Sequence, residues 1–177
     1  TMISSKASRI VNIALDKGVF DFSLRRTHGQ DAAIKVARAS YVAGFRGTSN
    51  VLAAKIYNIP AVGTMAHSFV MTFDSEIESF RAFSNTFPDR AVLLVDTYNT
   101  IKGVSNAIAI AKELKKNGFA LKGIRLDSGD LISLSKIARR MLNNAGLNSV
   151  RIFASGNLDE YKIHELIKED APIDDFG

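Results

Sequence analysis

Acidic and hydroxyl side chains recur directly after short apolar segments of this sequence. These polar residues are Asp96-Thr97, Asp127-Ser128, Ser155-Gly156, Asp174-Asp175 and residues 23–26 and 64–67. If the apolar segments are parallel strands, the polar residues lie at the C-terminal edge of the sheet, where α/β folds bind ligands. A second interpretation is that single Asp, Ser and Thr residues only cap the helices that follow. Six such positions together favour an active site over capping alone.

Two of these segments carry groups that could bind sugar hydroxyls, an anion or a phosphate. Arg125 and Asp127 are two residues apart in a predicted strand, so their side chains point to the same side. The carboxylate can bind sugar hydroxyls and the guanidinium an anion, although a purely structural ion pair is the alternative. The loop at Ser155-Gly156 can present backbone N–H groups to a phosphate, but an ordinary tight turn also fits.

Among the three histidines, His67 is the candidate for chemistry. It lies in GTMAHSF, just past a predicted strand, whereas His28 is expected in a loop and His164 on a helix surface. A single histidine is more often structural than catalytic. No His/Asp cluster predicts a transition-metal site, and neither a G-x-S-x-G elbow nor a Walker A loop occurs. The absence of cysteine excludes disulfides, thiolate zinc sites and a cysteine nucleophile.

The composition excludes several other classes of protein. The 177 residues carry 23 Lys+Arg and 18 Asp+Glu, a net charge of +5 without a dense basic block, so we expect no nucleic-acid partner. No apolar run approaches the roughly 20 residues of a membrane helix. The first residues also lack the apolar core of a signal peptide. We therefore expect a cytoplasmic protein without a membrane anchor.

Strands and helices are predicted to alternate along the chain. In the second half, buried strands are expected at residues 91–96, 121–127 and 149–155, each followed by a helix, and PIDDFG begins another strand. In the first half, helices are expected at residues 4–16, 30–43, 48–57 and 75–85, the third with a Thr/Ser N-cap, and strands at 19–26 and 60–64. Repeated units of this kind predict right-handed βα crossovers and one α/β domain with a parallel sheet.

Seven sequence strings, taken together, resemble one enzyme family. They are DFSLRRTHGQDAA, GFRGTSNVLAA, GTMAHSFVM, LLVDTYNT, GIRLDSGDL, FASGNLDE and IDDFG. In this order they resemble the nicotinate phosphoribosyltransferases, type II phosphoribosyltransferases of NAD salvage. The resemblance implies an irregular TIM-like α/β barrel that is incomplete at both ends. Residues 1–177 are then a single partial barrel (catalytic) domain, and an N-terminal α/β domain and the closing barrel segments are absent.

The resemblance also implies a reaction. The family transfers a phosphoribosyl group from phosphoribosyl pyrophosphate to nicotinate, giving nicotinate mononucleotide and pyrophosphate, with ATP hydrolysis coupled to the transfer. His67 falls on the family histidine that ATP phosphorylates, which makes ATP a co-substrate. Asp96, Arg125 and Asp127 fall on residues around the ribose and pyrophosphate, and Mg²⁺ is expected to bind mainly through the pyrophosphate. Ser155 and Gly156 fall on the first part of the phosphate-binding site.

Three further positions concern the base. By the same resemblance, Phe22 stacks on the pyridine ring and Arg25 contacts the substrates. Ser49 replaces the aspartate of the related nicotinamide enzymes. Because serine can donate a hydrogen bond to a carboxylate and aspartate would repel it, Ser49 favours nicotinate over nicotinamide.

The family builds each active site from two subunits, so a homodimer with shared sites is expected, and the aromatic partner of Phe22 comes from the neighbour. A complete barrel takes about 250 residues, so we expect the 177-residue chain alone to have little or no activity. A nicotinamide-specific relative, a quinolinate phosphoribosyltransferase and a non-catalytic phosphosugar-binding barrel fragment are the alternatives.

Overall fold

A computed structural model describes residues 2–177, which form eight α-helices and six β-strands. The helices are α1 (Met2–Ala14), α2 (Gln30–Val42), α3 (Val51–Tyr57), α4 (His67–Val70), α5 (Glu76–Thr86), α6 (Thr100–Lys116), α7 (Leu131–Asn144) and α8 (Glu160–Lys168). The strands are β1 (Gly18–Asp21), β2 (Gly47–Thr48), β3 (Val92–Leu94), β4 (Gly123–Leu126), β5 (Arg151–Ala154) and β6 (Asp175–Phe176). None of these helices is long and apolar enough to cross a membrane.

The chain divides into two compact units. The first contains residues 2–63, 157–169 and 175–177, and the second contains residues 64–156 and 170–174. The expected α/β architecture with parallel strands is confirmed within each unit. That residues 1–177 act as a single partial barrel domain stays a prediction.

In the first unit, β1 lies between β2 and β6 and runs parallel to both. Phe20 is opposite Gly47, and Gly18 is opposite Asp175. Helix α1 packs against α2 and α8. The contact between α1 and α8 includes Glu160, whose carboxylate is paired with Lys6 and with Arg9.

In the second unit, β4 lies between β3 and β5, again with all strands parallel. Leu93, Ile124 and Ile152 are opposite one another across the three strands and are completely buried. The predicted strands of the second half are confirmed. They are recognisable in the sequence because strands buried on both faces have continuous apolar sequence. Helix α6 packs against α5 and α7. It begins at an Asn99 N-cap, whose side chain accepts a hydrogen bond from the backbone N–H of Lys102.

Of two predicted strands of the first half, the one at 19–26 is confirmed only as far as Asp21, and the one at 60–64 is wrong. The segment predicted as a strand at 19–26 leaves the extended conformation after Asp21, because the Asp21 carboxylate accepts a hydrogen bond from the backbone N–H of Ser23 and residues 24–26 form a 3-10 turn. Residues 60–64 contribute only an isolated bridge between Ala61 and Thr48. Pro60 has no N–H to extend the ladder and takes part only through its carbonyl, which accepts from Thr48.

The helix expected at 48–57 and the strand end expected at 174–175 are also corrected. Thr48 belongs to β2, and α3 is capped by Asn50, whose side chain accepts from the N–H of Ala53. Asp175 is the first residue of β6, so Asp174 precedes the strand instead of following it. The Asp174 carboxylate accepts from the N–H of Ile152 at 2.7 Å. Asp174 therefore serves the sheet as a hydrogen-bond acceptor.

Glu160→Gln should remove an acid-sensitive part of the folding stability. Hydrogen bonding from Lys6 is the largest cause that lowers the pKa of Glu160 from 4.5 to about 2. A carboxyl whose pKa is lowered by folding stabilises the native state above its ordinary pKa, and this contribution is lost as the pH falls through its folded pKa. We expect the difference in free energy of unfolding between the parent and Glu160→Gln to decrease as the pH is lowered from 4.5 to about 2. Urea unfolding at a series of pH values measures it.

The control for this variant is Glu165→Gln, which removes an exposed carboxylate from the same helix. A stability difference for Glu160→Gln that is independent of pH, or that matches the control, would contradict the assignment.

Candidate active site

Three neighbouring strands end at the candidate site of the second unit. Asp127 directly follows β4, Ser155 directly follows β5, and Asp96 follows β3 after Val95. Backbone hydrogen bonds continue past the strand ends, from Val95 N–H to the Arg125 carbonyl at 3.2 Å and from Ser155 N–H to the Leu126 carbonyl at 2.9 Å. These bonds keep the loops in register, so the expected grouping of polar residues at the C-terminal edge is confirmed for β3, β4 and β5.

Arg125 is at the centre of this group. Its Nη2 donates to Asp127 Oδ1 at 2.5 Å, its Nε to Ser155 Oγ at 2.6 Å, and its Nη1 to Thr64 Oγ1 at 2.8 Å. Ser155 Oγ also donates to Asp127 Oδ1 at 2.5 Å. The Arg125 and Asp127 side chains are 14% and 16% exposed. The predicted same-side placement of Arg125 and Asp127 is confirmed, and the two form an ion pair that fixes the guanidinium plane.

The surroundings of Asp127 favour its charged form. Burial alone would raise the pKa of Asp127, but the hydrogen bond from Ser155 and the charge of Arg125 outweigh burial, so the pKa lies below its ordinary value. The charge of His67 acts in the same direction. Asp127 is therefore a carboxylate at neutral pH.

His67 faces the same carboxylate. Its Nε2 is 3.5 Å from Asp127 Oδ2, and its Nδ1 is 3.1 Å from Thr97 Oγ1. The side chain is 36% exposed, which leaves the ring accessible. His67 was expected just past a strand, but it is the first residue of the short helix α4. The other two histidines are as expected, with His28 in a loop and His164 exposed on α8.

Asp96 has one oxygen that is already bonded and one that is not. Its Oδ2 accepts from Asp127 N–H at 2.9 Å and from Ser128 Oγ at 2.6 Å. Its Oδ1 is buried and has no hydrogen-bond partner among residues 2–177. A buried acceptor without a partner is uncommon in native proteins and calls for a structural reason. A ligand hydroxyl or a cation at this edge would provide one.

The loop after β5 depends on glycine at position 156. Gly156 has a φ of +93°, and a Cβ built on it would lie 2.1 Å from the Asp127 carbonyl oxygen. Only glycine combines this backbone conformation with so close an approach to the neighbouring loop. Ser155-Gly156 is therefore a constrained turn beside Asp127.

The remaining expected residues lie in the first unit, after β1 and β2. Phe22 follows β1, and a Cβ built on Gly177 would lie 2.5 Å from its ring, so the ring lies against the Gly177 backbone. Arg25 is exposed in the 3-10 turn. Ser49 follows β2 and donates its N–H to the Asp21 carbonyl at 2.8 Å. Because β1 and β2 are neighbouring parallel strands, Phe22 and Ser49 follow adjacent strand ends.

The sequence reasoning missed the partners of the expected residues. The sequence places Thr97 and Thr64 only within polar segments, whereas in the structure they hydrogen bond to His67 and to Arg125. Asp21 is a further residue that the sequence patterns do not identify, although its place at the end of an apolar strand is an available signal. Between residues 2 and 177, no group of three or more His, Cys, Asp and Glu side chains is arranged to hold a metal ion.

Comparison with known proteins finds relatives from one enzyme family. The chain is 54% identical over 177 residues to nicotinate phosphoribosyltransferase pncB2 of Mycobacterium tuberculosis, and 45% identical over 178 residues to the Bacillus subtilis nicotinate phosphoribosyltransferase. These alignments cover the whole chain but only 38% and 36% of the two relatives.

Solved structures show the same fold. The crystal structure of human nicotinic acid phosphoribosyltransferase matches 99% of the chain with a TM-score of 0.93 at 28% identity, over 46% of its own length. The nicotinate-nucleotide pyrophosphorylase of Pyrococcus furiosus matches 99% of the chain with a TM-score of 0.84 at 31% identity, over 44% of its length. The expected fold class is confirmed by these matches. The profile of the nicotinate phosphoribosyltransferase (NAPRTase) family matches residues 18–171, and the chain therefore belongs to that family.

Proposed function

We propose that the protein containing this chain transfers a phosphoribosyl group from phosphoribosyl pyrophosphate to nicotinate, giving nicotinate mononucleotide and pyrophosphate in NAD salvage. The observation that carries the proposal is the strand-end cluster, in which Asp127 pairs with Arg125 and faces His67 at 3.5 Å. The names of the relatives at 54% and 45% identity support the choice of substrate.

The cluster has the groups that this transfer requires. As pyrophosphate leaves, positive charge develops on the ribose, and fixed carboxylates such as Asp96 and Asp127 stabilise it. Arg125 is held by three hydrogen bonds and supplies a fixed positive charge for the pyrophosphate. Ser155 and Gly156 form the turn that we assign to phosphate binding.

We further propose that ATP hydrolysis is coupled to the transfer through phosphorylation of His67. A ring nitrogen of His67 attacks the γ-phosphorus of ATP as the bond to ADP breaks, and water later cleaves the phosphorus–nitrogen bond, which releases inorganic phosphate and restores His67. Asp127 Oδ2, 3.5 Å from Nε2, stabilises the positive charge that the ring acquires. The contact between Nδ1 and Thr97 Oγ1 holds the ring orientation.

The donor set fits Mg²⁺. The buried Oδ1 of Asp96 has no partner in the described part of the chain, and Mg²⁺ binds through one or two carboxylates together with phosphate oxygens and water. Asp96 is the residue that would hold it here. When bound, Mg²⁺ supplies positive charge that neutralises the pyrophosphate leaving group.

Selection of the base is assigned to the first unit. Phe22 stacks on the pyridine ring, Arg25 contacts the substrates, and Ser49 donates its hydroxyl to the nicotinate carboxylate. The half-buried position of Ser49 beside the end of β1 supports this role. A nicotinamide amide would gain less from a donor at position 49, because its carbonyl is a neutral acceptor, whereas the hydrogen bond to the nicotinate carboxylate is charge-assisted.

Ser49→Asp should reverse the preference for the base. We expect the kcat/KM for nicotinate to fall about 100-fold, because a carboxylate would replace a donor and repel the acid. The kcat/KM for nicotinamide should fall less than that for nicotinate, or rise. Mononucleotide formation from each base measures the ratio. The control is Ser105→Asp, the same change at an exposed position of α6. An unchanged preference in Ser49→Asp would remove Ser49 from the specificity site.

The proposed activity is tested with the complete gene product. Nicotinate, nicotinamide and quinolinate are offered separately with phosphoribosyl pyrophosphate, and mononucleotide is measured. We expect product from nicotinate above the other two. Preference for either other base, or binding of phosphoribosyl pyrophosphate without any turnover, would overturn the proposal in favour of the corresponding alternative.

The 177-residue chain alone should show little turnover in the same assay. The chain spans less than two fifths of the curated relatives described above, and we propose that the whole protein is a homodimer with shared active sites. Turnover by the 177-residue chain comparable to that of the complete gene product would contradict this. A cytoplasmic location stays a prediction.

A further inference from the structure

A buried carboxylate lies at the end of β1, next to the proposed base-binding residues. Asp21 is 4% exposed. Its Oδ1 accepts from both the backbone N–H of Ser23 at 3.0 Å and the Ser23 hydroxyl at 2.5 Å. Its Oδ2 accepts from the hydroxyl of Thr48, at the end of β2, at 2.7 Å. One side chain therefore joins the segments that follow two neighbouring strands.

The second segment is held at two further points. Thr48 is completely buried, and its Oγ1 accepts from the N–H of Asn50 at 3.0 Å. The carbonyl of Asp21 accepts from the N–H of Ser49 at 2.8 Å. Asn50 is itself the N-cap of α3. The backbone around position 49 is therefore fixed on both sides and anchored to a helix.

Each of the two proposed base contacts lies between two residues that are joined by a hydrogen bond. Phe22 lies between Asp21 and Ser23, which are joined by the Asp21 carboxylate. Ser49 lies between Thr48 and Asn50, which are joined by the Thr48 hydroxyl. The hydrogen bond between the Thr48 hydroxyl and the Asp21 carboxylate connects these two segments.

We propose that Asp21 and Thr48 are positioning residues that set the distance between the Phe22 ring and the Ser49 hydroxyl, and thereby the affinity for nicotinate. This inference rests on the proposed function. Neither side chain is required to touch the base. Three hydrogen bonds to the Asp21 carboxylate also direct its oxygens toward protein donors, which limits repulsion of the acidic substrate.

The test replaces the Thr48 hydroxyl by a methyl group of similar size. In the complete gene product, we expect Thr48→Val to raise the KM for nicotinate about tenfold, since a hydrogen bond to a charged group is lost. The KM for phosphoribosyl pyrophosphate and kcat should change less than about twofold, because their contacts lie on other residues. Thr48→Ser keeps the hydroxyl and should restore the parental KM. A purely structural role would lower thermal stability and active fraction without separating the two KM values.

Two further variants complete the test. Ser23→Ala removes one of the three donors to Asp21 from a turn outside the core, and should raise the nicotinate KM about threefold even if Thr48→Val does not fold. Thr86→Val is the matched control, because the Thr86 hydroxyl is exposed and donates only to the Ala82 carbonyl within α5. We expect parental constants for this control.

The outcomes separate the inference from the proposed function. If the parent forms nicotinate mononucleotide but folded Thr48→Val or Ser23→Ala has the parental nicotinate KM, the inference is overturned and the proposed function stands. An equal rise in both KM values also overturns it. If the parent forms no nicotinate mononucleotide, the proposed function fails, and the inference fails with it.

Discussion

Asp127→Asn should lower kcat for nicotinate mononucleotide formation by about 10²- to 10³-fold. One carboxylate pairs with Arg125, accepts from Ser155 and faces His67. The amide keeps the shape of the side chain but loses its negative charge. The stabilisation of the ribose cation and of the His67 ring should therefore be lost together.

Steady-state kinetics of the complete gene product measures this effect. The control is Asp159→Asn, the same chemical change at the N-cap of α8, where asparagine caps as well as aspartate. We expect parental kcat for the control. More than a tenth of the parental kcat in Asp127→Asn would mean that this carboxylate is not part of the reacting site.

Gly156→Ala should cost about 3 kcal/mol of folding stability and weaken the binding of phosphoribosyl pyrophosphate. The φ of +93° is unfavourable for alanine, and the added Cβ would lie 2.1 Å from the Asp127 carbonyl oxygen. Relief of this contact moves either the turn after β5 or the loop that carries Asp127. Either movement separates Ser155 from Asp127.

Gly118→Ala is the matched control, since its φ is +82° but a Cβ there has no neighbour within 4 Å. Gly118→Ala should lower the free energy of unfolding by only about 1 kcal/mol, the energy that alanine loses in this backbone conformation. Urea unfolding measures the two free energies, and the KM for phosphoribosyl pyrophosphate should rise only in Gly156→Ala. Equal destabilisation by the two variants would show that the close approach to Asp127 does not constrain the turn.

The strands of the second unit could be predicted because burial on both faces demands continuous apolar sequence. Leu93, Ile124 and Ile152 lie in such runs and are completely buried. Alternation along a strand also predicted that Arg125 and Asp127 share a side, and their ion pair confirms it. In both cases the structure follows from local pattern.

The first half was less predictable because side chains decide where its elements end. The Asp21 carboxylate ends the extended segment by accepting from Ser23, and Asn50 competes successfully with Thr48 as the N-cap of α3. Asp, Asn, Ser and Thr all have the propensity to do this, so composition does not identify which one acts. Only the tertiary position of Thr48 in β2 removes it from the choice.

The partners in the candidate site could not be predicted from spacing. Thr97 is 30 residues from His67, and Thr64 is 61 residues from Arg125. No periodicity spans such separations, and only the arrangement of strand ends brings these side chains together. The assignments of Phe22, Arg25 and Ser49 came from family resemblance, and their roles stay predictions.

The most direct test of the account is the rate of nicotinate mononucleotide formation by the complete gene product with and without ATP, in the parent, in His67→Ala and in His164→Ala. His164 is exposed on α8 and serves as the matched control. We expect product in the parent, a higher rate with ATP in the parent and in His164→Ala, and loss of the ATP effect in His67→Ala alone. Absence of product from the folded parent, or an ATP effect that survives in His67→Ala, would contradict the proposed role of His67 in nicotinate mononucleotide formation.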